Sequence, residues 1–373
     1  MRFAKWVVAG AATVMLALAG APAAAQSPQK LRFQASFPSS SLNYSCFKDW
    51  ADKVKAMSGG RLEVEVAPAG QIVPAFEVLD ATHKQVIDGA HSAAAYWVGK
   101  NRAAALFGPA PGGPLGFDAQ DYMGWLYDGG GIELYRELYQ VVLQRNVEPF
   151  PLCWIGSQVL GWFKEPVKTW ADFKGKKCRQ TGLTAEVFQR AGMTPVNMPG
   201  GEILPAAERG AIECAEWALP AEDMKIGFHT VWKHYHMPSV HEPATVLELL
   251  INGDTWKKLP ADLKQIVNVS VWESTFRQQV LMNKLNAEAI KELRTKHGVT
   301  IHQTSNEILK KILETWDTIA AEESAKNAFF KKVYESQRAY SALVVPARRD
   351  MYPDYNFTVE HYYPCLLYTS RCV

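Results

Sequence analysis

Between Lys176 and Trp217 the chain sets an arginine and a glutamate where a sheet presents side chains to a ligand. The run reads KKCRQ, an amphipathic segment, TPVNMPGGE, a second amphipathic segment, then GAIECAEW. Short apolar runs alternating with amphipathic ones predict strand–helix–strand–helix–strand. In open α/β sheets ligands sit outside the carboxyl ends of the strands. Arg179 closes the first of these strands and Glu216 the last, with Trp217 beside it. The planar fork of an arginine matches a carboxylate at two points. A glutamate nearby suits a cation or a substrate hydroxyl. The pair reads either as half of a cleft for a small carboxylate held with a metal ion, or as a salt bridge at a sheet edge. The residue types alone leave both open.

Other chemistry-bearing residues are sparser. VWKHYHMPSVHE carries His234, His236, His241 and Glu242, the residue types of a zinc site. Strand alternation puts only His234 and His236 on one face, and no HExxH-like helical pair supports them. The preferred reading is a strand whose end delivers Glu242 to the cleft. Six cysteines, at 46, 153, 178, 214, 365 and 372, form no CxxC and no zinc-ribbon spacing. A disulfide between Cys178 and Cys214 on neighbouring strands is open to an exported chain. Unpaired buried thiols packed as small apolar groups are the expected state. Gly129-Gly130-Gly131 lacks a GxGxxG frame or a Walker lysine and reads as a separator of two helices. No nucleophile elbow, catalytic carboxylate pair or triad is present, which speaks against an enzyme.

The elements that hold these residues begin after a leader. MRFAKWVVAGAATVMLALAGAPAAAQ has a basic start, a short apolar run and an AxA site, which predicts a signal peptide over 1–25 cleaved after Ala25. Losing Arg2 and Lys5 with no acid takes the formal charge from +2 to neutral. A neutral chain is no general nucleic-acid binder. The remaining length fits two α/β domains. Strands are expected over 31–37, 62–66 and 90–96, with helices over 43–57, behind Ser39 to Ser41, and over 74–87. FEVLDATHKQVIDGAHSAAAYW and EILPAAERGAIECAEW share the order helix, glycine, strand, tryptophan. Two similarly built domains facing one cleft would show this, with both tryptophan-ending strands pointing into it.

Residues 103–118 are rich in Gly and Pro and read as an irregular loop. A helical stretch over 119–144 is interrupted at the three glycines. A strand over 151–156 carries Gln158 and Trp162 to its far end, and a short capped helix covers 169–173. A buried strand spans 245–252, a helical region with a break at Leu259-Pro260 spans 256–296, and a short strand covers 299–302. One long helix is expected over 306–344, its apolar stripe bracing both domains or meeting a second subunit. The tail, 358–373, is read as irregular.

At this point the residues resemble a family. PGGEILPAAERGAIECAEW, IGFHTVWKHYH and HEPATVLELLIN are similar to the solute-binding subunits of TRAP (tripartite ATP-independent periplasmic) transporters. With GPLGFDAQDYMGWLYDGGGIELYRELY they resemble the branch that binds 2-oxo acids or lactate-type monocarboxylates. The resemblance runs to about Phe357. It implies a periplasmic-binding-protein-like α/β fold: two α/β domains around a ligand cleft that closes by hinge motion, with a long C-terminal helix. The domains are expected at 26–150 and 151–255, the first sharing elements with the C-terminal part, and a helical region over 256–357 braces them. Carried over residue by residue, Arg179 grips the substrate carboxylate and Gln158 touches substrate and cation. Glu216 and Trp217 hold the cation, the tryptophan through its carbonyl. Glu242 is a further acidic residue at the site, and Tyr96 contributes from the first domain. The resemblance thus implies a substrate set of Tyr96, Gln158, Arg179, Trp217 and Glu242, and Na⁺ or Ca²⁺ held by Gln158, Glu216, Trp217 and Glu242. It further implies a periplasmic receptor that serves two membrane subunits and forms a homodimer through the C-terminal helix. Its rivals are an exported metal-dependent enzyme acting on small carboxylates and a ligand-sensing partner of a membrane receptor.

Overall fold

The structure is a computed structural model that describes residues 28–108 and 114–363. The leader over 1–25, part of the Gly/Pro-rich loop and the tail cysteines Cys365 and Cys372 lie outside the described residues. Among the described residues no helix is long and apolar enough to cross a membrane.

The chain opens with β1 (Gln29–Ala35), α1 (Leu42–Met57), β2 (Leu62–Ala67), α2 (Val78–His83) and β3 (Gly89–Ser92). As expected, Ser41 caps α1, its hydroxyl accepting from the Asn43 N–H. Two helices, α3 (Ala119–Asp128) and α4 (Gly131–Glu137), lie either side of the glycines and lead to β4 (Val147–Gly156). Then follow β5 (Gly161–Phe163), β6 (Lys177–Arg179), α5 (Thr184–Arg190), β7 (Thr194–Val196), α6 (Gly200–Glu208) and β8 (Cys214–Ala215). After α7 (Pro220–Ile226) and β9 (His234–Met237) come β10 (Thr245–Asn252), α8 (Gly253–Lys258), α9 (Ala261–Thr295) and β11 (Thr300–Gln303). The chain ends in α10 (Asn306–Lys326), α11 (Ala328–Met351) and α12 (Tyr355–Tyr362).

Two sheets result, in the orders β2-β1-β3-β10-β4 and β11-β9-β5-β8-β6-β7. The expected boundary at 151–255 is therefore corrected. β4 stays in the first sheet through residue 156, and β10 returns to it, antiparallel to β3 and β4. TVLELLIN is buried at every residue, so it needs a paired neighbour on each edge, and only the first sheet offers both. The chain thus crosses between lobes at residues 157–160, again at 238–244, and a third time through α8 and α9, which lead from β10 in the first sheet to β11 in the second. At 1.5 Å per residue α9 is about 50 Å long, and it packs on α1, β4 and α7. α10 packs on α5 of the second lobe, and α11 on α3 and α4 of the first.

Several expectations are revised. The helix expected over 74–87 is a 3-10 turn, Ala75–Glu77, followed by α2, and the left-handed Gln85 ends it. The strand expected to reach residue 96 stops at Ser92, and Ala94–Trp97 is a 3-10 turn. Arg102–Phe107, placed in a loop, is a buried 3-10 helix capped by Asn101, because AAALF is apolar enough to enter the core. The single long helix is two: Asn327 is extended, and its side chain caps α11 through the N–H groups of Phe329 and Phe330. Residues 355–362 form a helix, so the start of the tail is regular.

The unpaired thiols are also corrected. Cys178 and Cys214 face each other across β6 and β8 and are bonded, with Cα atoms 4.6 Å apart. Cys46 of α1 is bonded to Cys153 of β4, 107 residues away in sequence. Loop-closure entropy puts each such bond at about 4–5 kcal/mol.

Candidate functional site

The parallel pair β6 and β8 ends at the cleft. Arg179 is the last residue of β6, and its register partner Ala215 puts Glu216 one step beyond β8. The first two crossovers supply Gln158 and Glu242. They are tied together there: Gln158 N–H donates to the Glu242 carbonyl at 2.9 Å, and Gln158 Nε2 donates to Glu242 Oε2 and, at 3.0 Å, to Thr245 Oγ1. Thr184 Oγ1 donates to Glu242 Oε1 at 3.3 Å. Tyr96 arrives from the first lobe on its 3-10 turn. All six expected residues, Tyr96, Gln158, Arg179, Glu216, Trp217 and Glu242, line one cavity of about 30 Å³.

The electrostatics are those of a dry site. Arg179 and Glu216 are each 2% exposed. Arg179 Nη1 donates to the Glu216 carbonyl at 2.5 Å and to Glu216 Oε2 at 3.0 Å. The guanidinium lies 5.1 Å over the Trp217 ring. Gly200, which opens α6, leaves room for that indole, since a Cβ there would fall 2.3 Å from it. Burial pushes the Glu216 carboxyl up to about 7 against the pull of Arg179. Burial, and then the charge of Glu216, hold Glu242 well above the usual carboxylate range. Desolvation pushes the Tyr96 phenol up to about 12, so it stays neutral.

What lacks a partner is informative. Among the described residues, Gln158 Oε1 and Glu216 Oε1 are buried acceptors with no hydrogen bond, Arg179 Nε is a buried donor with none, and His241 Nε2 is a buried ring nitrogen with none. Buried polar groups are almost always paired. A ring nitrogen of His241 and one carboxylate oxygen each of Glu216 and Glu242 lie within 4.8 Å of one another. Orphaned acceptors on residues that line one cavity suit a cation, and an orphaned guanidinium N–H suits an anion.

Two sequence readings fail here. The zinc group divides: His234 pairs with His302 at 2.9 Å, and His236 Nε2 accepts from the Val167 N–H, both on the β9–β11 side of the sheet. Only His241 and Glu242 reach the cleft residues. Nor do both tryptophan-ending strands point into the cleft. Trp97 is buried with its Nε1 donating to Glu248 at 2.7 Å, while the neighbouring Tyr96 lines the cavity. Thr184 and Thr245, which orient Gln158 and Glu242, carried no sequence signal.

Comparisons with known proteins place the chain in one family. The family model for bacterial extracellular solute-binding proteins, family 7, matches residues 33–327. A monocarboxylate 2-oxoacid-binding periplasmic protein of Nostoc is 34% identical over 309 residues, 83% of each chain. A TRAP transporter solute-binding protein of Bordetella bronchiseptica, solved as a dimer with calcium and picolinate in one site, aligns with TM-score 0.83 at 25% identity, over 90% of this chain and 97% of that one. One from Pseudoalteromonas atlantica with bound sodium and pyruvate aligns with TM-score 0.81 at 28% identity, over 91% and 99%.

Proposed function

Since the chain belongs to the family 7 bacterial extracellular solute-binding proteins, the periplasmic receptors of TRAP transporters, we propose that its cleft takes a small 2-oxo or 2-hydroxy monocarboxylate together with Na⁺ or Ca²⁺. Family members deliver such ligands to membrane subunits and are receptors, not enzymes. The observation that carries the reading is the set of orphaned polar atoms: acceptors on Gln158 and Glu216, a donor on Arg179. The ligands named for the Bordetella and Pseudoalteromonas relatives support it.

Arg179 turns its guanidinium from Glu216 to the ligand carboxylate, with Trp217 stacked behind it. Gln158, Glu216, Glu242 and the Trp217 carbonyl offer oxygens, which suit a hard cation. When bound, that ion supplies positive charge where two buried carboxylates face one arginine. With both glutamates ionised, a monocarboxylate and a divalent ion leave the cavity neutral. Sodium leaves one negative charge in excess unless a glutamate keeps its proton, and burial favours that at Glu242. The neutral Tyr96 phenol closes the cavity from the first lobe.

Cleavage after Ala25 would release the mature receptor. A homodimer through the C-terminal helices is supported by exposed Leu343, Met351 and Phe357 there and by Trp272, Phe276 and Val280 along α9. The test is a thermal-shift series with pyruvate, lactate and larger 2-oxo acids, with added Ca²⁺ or Na⁺ and with chelator. Binding raises Tm by mass action, about 2.7 kcal/mol of stabilisation at a hundredfold excess over Kd. A shift that needs the cation upholds the reading, and chelator sensitivity selects calcium. No shift with any monocarboxylate sinks it.

A further inference from the structure

The two acids that open α7 point to different lobes. Successive helix residues turn by about 100°, and Glu222 and Asp223 are 1% and 0% exposed. Asp223 faces its own lobe. Its Oδ2 accepts from Trp162 Nε1 at 2.9 Å and from the Tyr235 hydroxyl at 2.8 Å, and its Oδ1 accepts from the Ala218 N–H at 3.1 Å. These bonds fasten α7 to β5 and β9. Glu222 faces across the cleft. Its Oε1 accepts from Ser41 Oγ at 2.6 Å and from Trp217 Nε1 at 2.8 Å, and its Oε2 accepts from the Leu42 N–H at 2.6 Å.

Every recorded partner of Glu222 is a donor, and these bonds favour the ionised carboxylate against burial, which pushes its carboxyl up. Leu42 is the first residue of α1, where backbone N–H groups lack helical partners and the helix dipole favours a negative charge. Ser41 Oγ also accepts from the Asn43 N–H, and Asn43 lines the cavity. Phe37, from the same lobe, meets the Trp217 ring edge-on at 6.2 Å. One carboxylate therefore joins the cavity wall of the first lobe to the indole of the second.

We infer that Glu222 is the latch of the cleft and the positioning residue for Trp217, holding the lobes closed over bound ligand; this rests on the binding reading above. Opening must break the bonds to Ser41 and Leu42 and rehydrate the carboxylate. Encounter with ligand happens in the open state, before those bonds form. The latch therefore acts on release and leaves capture almost untouched.

The test uses the full chain with pyruvate and calcium, followed by stopped-flow tryptophan fluorescence. Glu222→Gln keeps the shape but turns an amide toward donors. It is expected to raise koff about tenfold and to leave kon within about twofold. Ser41→Ala, from the opposite lobe, is expected to raise koff about threefold, and the double variant should release no faster than Glu222→Gln alone. Unchanged koff, a matching fall in kon, or independent effects of the two variants would overturn the latch. If the wild-type chain binds no carboxylate, the binding reading fails by itself. The latch is then read from small-angle scattering of the ligand-free chain, where Glu222→Gln must expand the molecule, and superimposable curves reject it.

Discussion

Each lobe buries a glutamate beside the tryptophan of its helix–glycine–strand unit, Glu248 bonded to Trp97 in the first and Glu216 next to Trp217 in the second, and the two are used in opposite ways. In the first lobe Glu248 is 1% exposed, and its carboxylate is ringed by Trp97 Nε1 at 2.7 Å, the Tyr139 hydroxyl at 2.5 Å and the Tyr135 hydroxyl. In the second lobe Glu216 is equally buried, yet one of its oxygens has no partner, and its arginine keeps an idle N–H. A buried charge whose lone pairs are all used belongs to the architecture. A buried charge with one left over waits for something to arrive. That difference, rather than burial itself, separates a core from a receptor site.

The sharpest way to break this contrast is to remove the cation of the second lobe. Arg179→Ala should abolish measurable carboxylate binding in calorimetry, a loss of about 4 kcal/mol or more, and near-normal affinity would end the assignment. Next, Glu216→Gln should weaken binding about a hundredfold, near 3 kcal/mol, and erase its cation dependence. Glu248→Gln should do the reverse. It should cost about 2 kcal/mol of stability by leaving donors around an amide, with affinity unchanged; a binding defect there would dissolve the distinction.

The smallest effect is in pH. In the first lobe burial pushes the His91 imidazole down to about 4. Between its ordinary value near 6.5 and that point the unfolded chain takes up a proton that the folded chain refuses, so stability falls as pH drops through this window. Glu216, pushed up to about 7, works the other way. The ligand-free folded state keeps a proton that the unfolded chain gives up above its ordinary value of 4.5, so this stabilisation is lost as pH rises from there to about 7. The two contributions offset in part, so Tm of the ligand-free protein should pass through a shallow maximum near pH 6. Saturating cation and carboxylate should remove the alkaline limb, because the bound state already carries the ionised glutamate.

How much of this was legible in the chain depends on how local each residue's task is. Arg179, Glu216 and Trp217 stand at strand ends that alternation marks without any knowledge of the rest. Ser41, Thr169 and the break at Leu259-Pro260 announce themselves in the same way. Glu242 reads at a strand end, but Gln158 and Tyr96 get their roles by resemblance, since nothing in the neighbours of Gln158 and Glu242 says that two crossovers meet at one point. Glu248, Thr184 and Glu222 take their roles from partners tens to hundreds of positions away. Asn327 breaks a helix whose two halves share one apolar period, so periodicity runs through it unnoticed. Cys46 and Cys153 meet only because α1 packs on β4.

The bond between the Gln158 amide and the Glu242 carbonyl joins two of the segments that cross between the lobes. In the proposed reading the binding atoms therefore sit beside these crossovers and not at the lips of the mouth. A shift of a fraction of an ångström there, as the orphaned oxygens close on their guest, is multiplied along each lobe into a much larger displacement at the outer rim. In the proposed reading, a membrane partner resting on those rims would tell a loaded receptor from an empty one by its outline alone, without ever touching the cargo.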